Sequence, residues 1–185
     1  MKEKLLDDVK HKMDQSVVVL QRELTGIRTG RANPALVEHL PVDAYGTKMP
    51  LNQLATITAP EARLLVVQPW DKTLVSAITN AFTTSDLGLN PQSDGVVLRV
   101  PIPALSQERR VELTKLAAKK AEESRVAVRN IRREAIEQLR KAKKDGDISE
   151  DDERRLEEQM QKLTDQHIVK IDDALKAKDA EILQS

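Results

Sequence analysis

The sequence predicts an α+β fold: an elongated three-helix bundle carrying a small inserted β/α/β domain. Three observations lead there. Long stretches at both ends of the chain place apolar residues every three or four positions, the period of an amphipathic helix. All eight prolines and all three aromatics lie between those stretches, where apolar runs are short and broken by turn residues. Charged residues make up 32% of the chain and aromatics 2%, a balance suited to long, surface-rich helices rather than a thick globular core.

The first 28 residues read as one helix. Leu6, Val9, Met13, Val17, Leu20, Leu24 and Ile27 form its single apolar stripe, and the pattern stops at Thr29-Gly30, glycine being a usual helix stop. The texture then changes as far as Leu105. Leu40-Pro41-Val42-Asp43-Ala44-Tyr45 precedes Gly46-Thr47, and Ala55-Thr56-Ile57-Thr58 precedes Ala59-Pro60. Arg63-Leu64-Leu65-Val66-Val67-Gln68 and Val96-Val97-Leu98-Arg99-Val100 are two further strand candidates. Between these last two lies one helical segment, from about Lys72 to about Thr83, with Leu74, Ile78 and Phe82 on one face.

Ser106 is placed to cap a second helix that runs to Lys144, its apolar face followed through Leu113, Ala117, Ala121, Val128, Ile131, Ala135, Leu139 and Ala142. Asp145-Gly146-Asp147 breaks it. Ser149, with Asp152 three residues on, resembles a capping box and opens a third helix, whose stripe is Leu156, Met160, Leu163, Ile171, Leu175 and Ile182.

Helices of roughly 28, 38 and 34 residues extend about 40–60 Å at the α-helical rise, and each has one apolar face. None is stable alone, and a three-helix bundle buries all three stripes. The expected division is therefore a bundle domain of residues 1–29 and 106–185, with an inserted domain of residues 31–104. The chain crosses between them twice, at Thr29-Gly30-Arg31 and at Pro101-Ile102-Pro103. An elongated, bent, L-like molecule with a two-stranded hinge at Gly30, Pro101 and Pro103 is expected, glycine loosening one strand and the prolines limiting the other.

Chemistry-bearing constellations are sparse. There are no cysteines, which excludes disulfides, thiolate catalysis and cysteine-ligated zinc and fits a reducing compartment. His11, His39 and His167 are scattered without metal-ligand spacing, and His167, beside the third helix's stripe, reads as a satisfied bundle histidine. No phosphate loop, dinucleotide fingerprint or nucleophile elbow occurs; Gly26 and Gly30 are two glycines at a helix end. An enzyme is not expected, nor a metal or cofactor. No segment is apolar for long enough to span a membrane, and the acidic turn of the first residues does not suit a signal peptide, so a cytoplasmic protein is expected.

Charge gives the one functional signal. The 30 basic and 30 acidic residues cancel, but they are not evenly spread. Between residues 125 and 144 stand Arg125, Arg129, Arg132, Arg133, Arg140, Lys141, Lys143 and Lys144, opposed only by Glu134 and Glu137. Arg125, Arg129 and Arg132 or Arg133 are spaced by four and three, which puts them on one helix face. Guanidiniums are planar, permanently charged and able to donate two hydrogen bonds to phosphate oxygens. Arg28 and Arg31 add two more at the end of the first helix. The plainer alternative is a solvated face answered by Glu150, Asp151, Asp152, Glu153, Glu157 and Glu158, with the bundle acting as an adaptor or chaperone. A bundle without exposed aromatics would read folded RNA by backbone and shape rather than by stacking.

Several segments add a resemblance. Ile27-Arg28-Thr29-Gly30-Arg31-Ala32-Asn33-Pro34 is similar to the first-hinge signature of ribosome recycling factors. Ser85-Asp86-Leu87-Gly88-Leu89-Asn90-Pro91 resembles that family's loop after the small domain's helix. Arg99-Val100-Pro101-Ile102-Pro103, followed by Leu105 and Glu108-Arg109-Arg110, resembles its second hinge. Arg125-Val126-Ala127-Val128-Arg129-Asn130-Ile131-Arg132-Arg133 is similar to its basic helix, and Asp147-Ile148-Ser149-Glu150-Asp151-Asp152 and Lys162-Leu163-Thr164-Asp165 complete the series in family order. The resemblance implies a factor that enters the post-termination 70S ribosome and lays its bundle against large-subunit ribosomal RNA. It further implies that the factor works with elongation factor G, whose GTP hydrolysis drives subunit separation, so that the chain itself needs no phosphate loop. It makes Arg129 and Arg132 the central RNA contacts, supported by Arg125 and Arg133, with Arg28 and Arg31 holding RNA or bracing the bundle end. A monomer with no cofactor is expected.

Overall fold

The computed structural model describes residues 2–184, which form four α-helices and six β-strands of an α+β fold. They divide into two units, one of residues 2–28 and 107–183, the other of residues 29–106 with Gln184.

The first unit is a bundle of α1 (Lys2–Thr25), α3 (Gln107–Lys144) and α4 (Glu150–Leu183), each packed against the other two. Cross-helix bonds give their directions. Ser124 Oγ on α3 donates to the Ser16 carbonyl on α1 at 3.3 Å, and Lys120 faces Glu23 at 3.9 Å, so α1 and α3 run antiparallel. Lys2 pairs with Asp152 and Asp14 with His167, so α1 and α4 run parallel.

The buried seam of α4 repeats every three or four residues through Leu156, Met160, Thr164, His167 and Ile171, then Lys178 and Ile182. Leu163 and Leu175, expected in the stripe, are only half-buried beside it. Polar side chains occupy seam positions because each is satisfied there: Thr164 Oγ1 donates to the Met160 carbonyl at 2.8 Å, and Lys178 Nζ reaches Glu181 at 3.3 Å. In α3 the small Ala117, Ala121 and Ser124 are fully inside, which lets neighbouring helices approach closely.

Helix ends follow local chemistry. α1 stops at Thr25 rather than near residue 28, because Gly26 already leaves the helix while its N–H still bonds the Arg22 carbonyl at 3.1 Å. Ile27 is nevertheless buried beyond the helix end. α3 ends in a Schellman motif around Gly146 at φ 78°, with the Asp147 N–H on the Ala142 carbonyl at 2.9 Å and the Gly146 N–H on Lys143 at 3.1 Å. Ser149 caps α4: its Oγ accepts from the Asp152 N–H at 3.1 Å while Asp152 reaches back to the Ser149 N–H at 3.5 Å.

The second unit holds two antiparallel sheets and α2 (Val75–Thr84). β1 (Pro41–Ala44) and β2 (Thr47–Pro50) form a hairpin whose two-residue turn has positive φ at Tyr45 (53°) and Gly46 (79°), the primed geometry that matches strand twist. The second sheet has the order β3 (Ala55–Glu61), β4 (Leu64–Pro69), β6 (Leu98–Pro101), β5 (Gln92–Ser93). Leu65 and Val67 of β4, Leu98 and Val100 of β6, and Ile78 and Phe82 of α2 share its core.

Three sequence expectations change here. β3 runs past Pro60 to Glu61, with its register irregular between Thr58 and Glu61, because an edge strand tolerates a residue without an N–H. β2 and β5 carry no apolar alternation and gave no strand signal. Pro101, expected in the second crossing, is the last residue of β6 and pairs with Leu64. Ala32 N–H donates to the Ala62 carbonyl at 2.7 Å and Ile102 N–H to the Arg63 carbonyl at 2.8 Å. Both entering and leaving segments are thus fastened to the β3–β4 turn, just inside the unit boundary.

Candidate nucleic-acid interface

The arginine row lies on α3 as its spacing requires, beside the seam residues Val128 and Ala135, but its members differ in freedom. Arg125 is 19% exposed and fully engaged. Its Nε and Nη2 donate to Asp172 Oδ1 on α4 at 2.9 and 2.7 Å, and its Nη1 donates to Glu122 Oε2 at 3.0 Å. The Asp172 hydrogen bond, opposed by burial and aided by Glu122, holds this guanidinium more firmly in its charged form than an isolated arginine.

Arg129, 48% exposed, has only a 3.7 Å approach to Glu122 Oε1, beyond hydrogen-bond length. Arg133 is exposed and donates to Asn130 Oδ1 at 3.3 Å. Arg132 is half-buried and, among the described residues, has no side-chain partner. Arg140, Lys141, Lys143 and Lys144 continue the basic surface to the helix end, all exposed. Asp152 at the start of α4 does not answer them; it pairs with Lys2 and Arg155. Arg28 and Arg31 are exposed on either side of the unit boundary, Arg28 in the bundle and Arg31 in the second unit.

The row therefore sorts into one arginine spent inside the bundle and three with donors available to a ligand. Arg129, Arg132 and Arg133 together present guanidinium forks along one helix, which suits successive phosphates. Sequence reading missed that Arg125 is spoken for. Glu122 lies three residues before it, so that half of the pairing was visible as an i,i+3 pair. Asp172 lies 47 residues away and needs the α3–α4 register.

The other titratable cluster is structural. His167 is buried, with Nδ1 2.6 Å from the Leu163 carbonyl and Nε2 2.6 Å from Asp14 Oδ1. Both ring nitrogens thus have a hydrogen-bond partner inside the bundle. The His167 hydrogen bond, against a desolvation penalty, holds the Asp14 carboxyl below its ordinary value of 3.8. A depressed carboxyl stabilises the fold above its unfolded value and loses that contribution as pH falls through the lowered folded value. Wild type is therefore expected to lose more thermal stability between pH about 5 and about 2 than Asp14→Asn, in melts followed by circular dichroism. At neutral pH the variant is expected to cost about 1 kcal/mol or less, since the Asp14 side chain is partly exposed. His11 and His39 are exposed, and no metal-binding group of three side chains occurs among the described residues. No helix among them is long and apolar enough to cross a membrane.

Fold and face define the class: a three-helix bundle with an inserted α+β unit and an arginine row on its middle helix. Comparison with known proteins gives the family. The model of the ribosome recycling factor family matches residues 20–183. Ribosome-recycling factors of Halalkalibacterium halodurans and Rhodospirillum centenum are 52% and 53% identical over 184 residues, covering 100% of this chain and of theirs. A solution structure of the ribosome recycling factor superposes with a TM-score of 0.72 at 42% identity, covering 100% of this chain and 98% of that one. The T. thermophilus ribosome recycling factor, built with E. coli elongation factor G as bound to the E. coli post-termination complex, superposes at 0.63 with 48% identity and 99% coverage of both chains. The chain belongs to the ribosome recycling factor family, the family its hinge and basic-helix motifs resemble.

Proposed function

We propose that this chain binds the post-termination 70S ribosome, lays the α3 face on large-subunit ribosomal RNA, and with elongation factor G promotes dissociation into subunits. The supporting observation is the open part of the arginine row, Arg129, Arg132 and Arg133, on a helix whose opposite side is committed to the bundle seam. Arg125 braces the row through Asp172, and Arg28 and Arg31 add positive charge next to the unit boundary. The placement of a relative with elongation factor G on a post-termination complex supports the choice of partner. In this reading the GTPase is the partner, the chain catalyses no reaction of its own, needs no cofactor, and acts as a monomer in the cytoplasm.

The mechanism is mechanical. Phosphate contacts supply binding energy and salt dependence. The bundle is stiff because its seam is continuous, so a push on the second unit is taken up where the chain crosses between the units, around residues 29–31 and 103–105. Gly30 on one strand and Pro103 on the other form the hinge, Pro101 being held in β6. Gly30→Pro fixes one backbone torsion and is expected to leave ribosome binding within about twofold while slowing subunit separation about tenfold or more. Equal loss of both would refute this division of labour.

The binding step is tested by sedimentation with 70S particles and isolated 50S and 30S subunits over a range of salt. Saturable, salt-sensitive binding to 70S and 50S is expected. A well-folded chain that pellets with none of them would leave the adaptor reading in its place.

A further inference from the structure

The arginine row contains a carboxylate that its function as an RNA face does not require. Glu122 is exposed and sits between two guanidiniums, with Oε2 accepting from Arg125 Nη1 at 3.0 Å and Oε1 3.7 Å from Arg129 Nη1. The two contacts are unequal in consequence. Arg125 keeps both bonds to Asp172 whatever Glu122 does. Arg129 has no other carboxylate within 4.0 Å among the described residues.

We propose that Glu122 is a positioning residue that competes with RNA phosphate for Arg129. It draws the Arg129 guanidinium toward the bundle surface in the free protein and is displaced when a phosphate docks. The proposal rests on the reading of α3 as the RNA-binding face. Its physical basis is a contest between two anions. Glu122 offers Arg129 one oxygen, too far for a hydrogen bond, because its other oxygen is committed to Arg125. A phosphodiester offers two free oxygens and accepts both prongs of a guanidinium fork. Phosphate wins the contest, but each binding event leaves the Glu122 oxygen unpaired and takes up a cation from solution to answer it. The acid thus lowers affinity and flattens its salt dependence, which favours a factor that must let go after each cycle.

The test uses four full-length chains, wild type, Glu122→Gln, Arg129→Ala and the double variant, titrated against isolated 50S subunits from low to moderate salt. Glu122→Gln is expected to bind about two- to fivefold more tightly at low salt and to steepen the plot of log K against log salt by up to about one. In the Arg129→Ala background the same change is expected to do nothing. A merely structural Glu122 would give weaker binding and an unchanged slope. If Arg129→Ala weakens binding while Glu122→Gln leaves it unchanged or weaker, the competition is overturned and the interface stands. Tighter binding that persists in the double variant also overturns it, as a diffuse charge effect. If Arg129→Ala binds as wild type does, the interface reading fails and the competition with it. Glu122 lies outside the seam, and melts of each variant confirm that folded chains are being compared.

Discussion

Replacing Arg129 and Arg132 together by alanine is expected to weaken binding to the large ribosomal subunit by about two to four orders of magnitude at moderate salt. Each guanidinium that reaches a phosphate makes charge-assisted hydrogen bonds worth about 1.5–3 kcal/mol, and about 1.4 kcal/mol is a factor of ten. The slope of log K against log salt is expected to fall by about two, one for each lost phosphate contact. The fold has little stake in either side chain. Neither belongs to the buried seam of α3, and neither has a hydrogen-bonded carboxylate partner. Melting is therefore expected to change by about 0.5 kcal/mol or less per site. Filter-binding titrations alongside thermal melts separate the two readouts. A double variant that binds as wild type does would place the ribosome contact elsewhere on the chain.

Phe82→Ala is expected to unfold the second unit while leaving the bundle standing. Phe82 is fully buried on α2, in a core it shares with Ile78, Leu65, Val67, Leu98 and Val100. Truncating a buried phenylalanine costs about 3–5 kcal/mol, and a unit of this size has little more than that in total. The bundle seam contains none of those residues. The chain carries its own reporter, because its single tryptophan, Trp70, lies in the second unit with Nε1 bonded to Thr56 Oγ1 at 2.9 Å. The fluorescence transition of Trp70 is expected to drop by more than about 10 °C. The helical signal at 222 nm, dominated by the bundle, is expected to keep its main transition. Such a chain retains the α3 face, so it is expected to bind 50S subunits and fail to separate them. Coincident loss of both signals would show that the two units fold as one.

The parts legible in the sequence are those set by local periodicity and capping. α3 and α4 could be bounded almost to the residue because their signals are strong and local: a helix stop at Gly146 and a cap at Ser149. The end of α1 was harder, since the apolar period continues to Ile27 although the helix does not. Ile27 is buried from a non-helical backbone, and periodicity cannot separate that from another turn of helix. Strands β2 and β5 were invisible because they are short, edge-placed and without apolar alternation, and they are defined by pairing to β1 and β6.

The site was legible as positions and not as pairings. Spacing placed Arg125, Arg129 and Arg132 or Arg133 on one face, but nothing local could show that Arg125 is spent on Asp172. The same limit applies to His167. A satisfied bundle histidine was readable from its place beside the stripe, whereas Asp14, 153 residues away, was not. Long-range pairs are fixed by the register between helices, and that register follows from seam packing that no single helix contains.

Subunit separation is the decisive activity, and light scattering of post-termination 70S complexes measures it most directly. With wild-type chain, elongation factor G and GTP all present, scattering is predicted to fall to the level of separated subunits. It is predicted to stay high when any one is omitted or when the Arg129→Ala, Arg132→Ala variant replaces the wild type. Scattering that stays high with all three components, from a chain that demonstrably occupies the ribosome, would contradict the account.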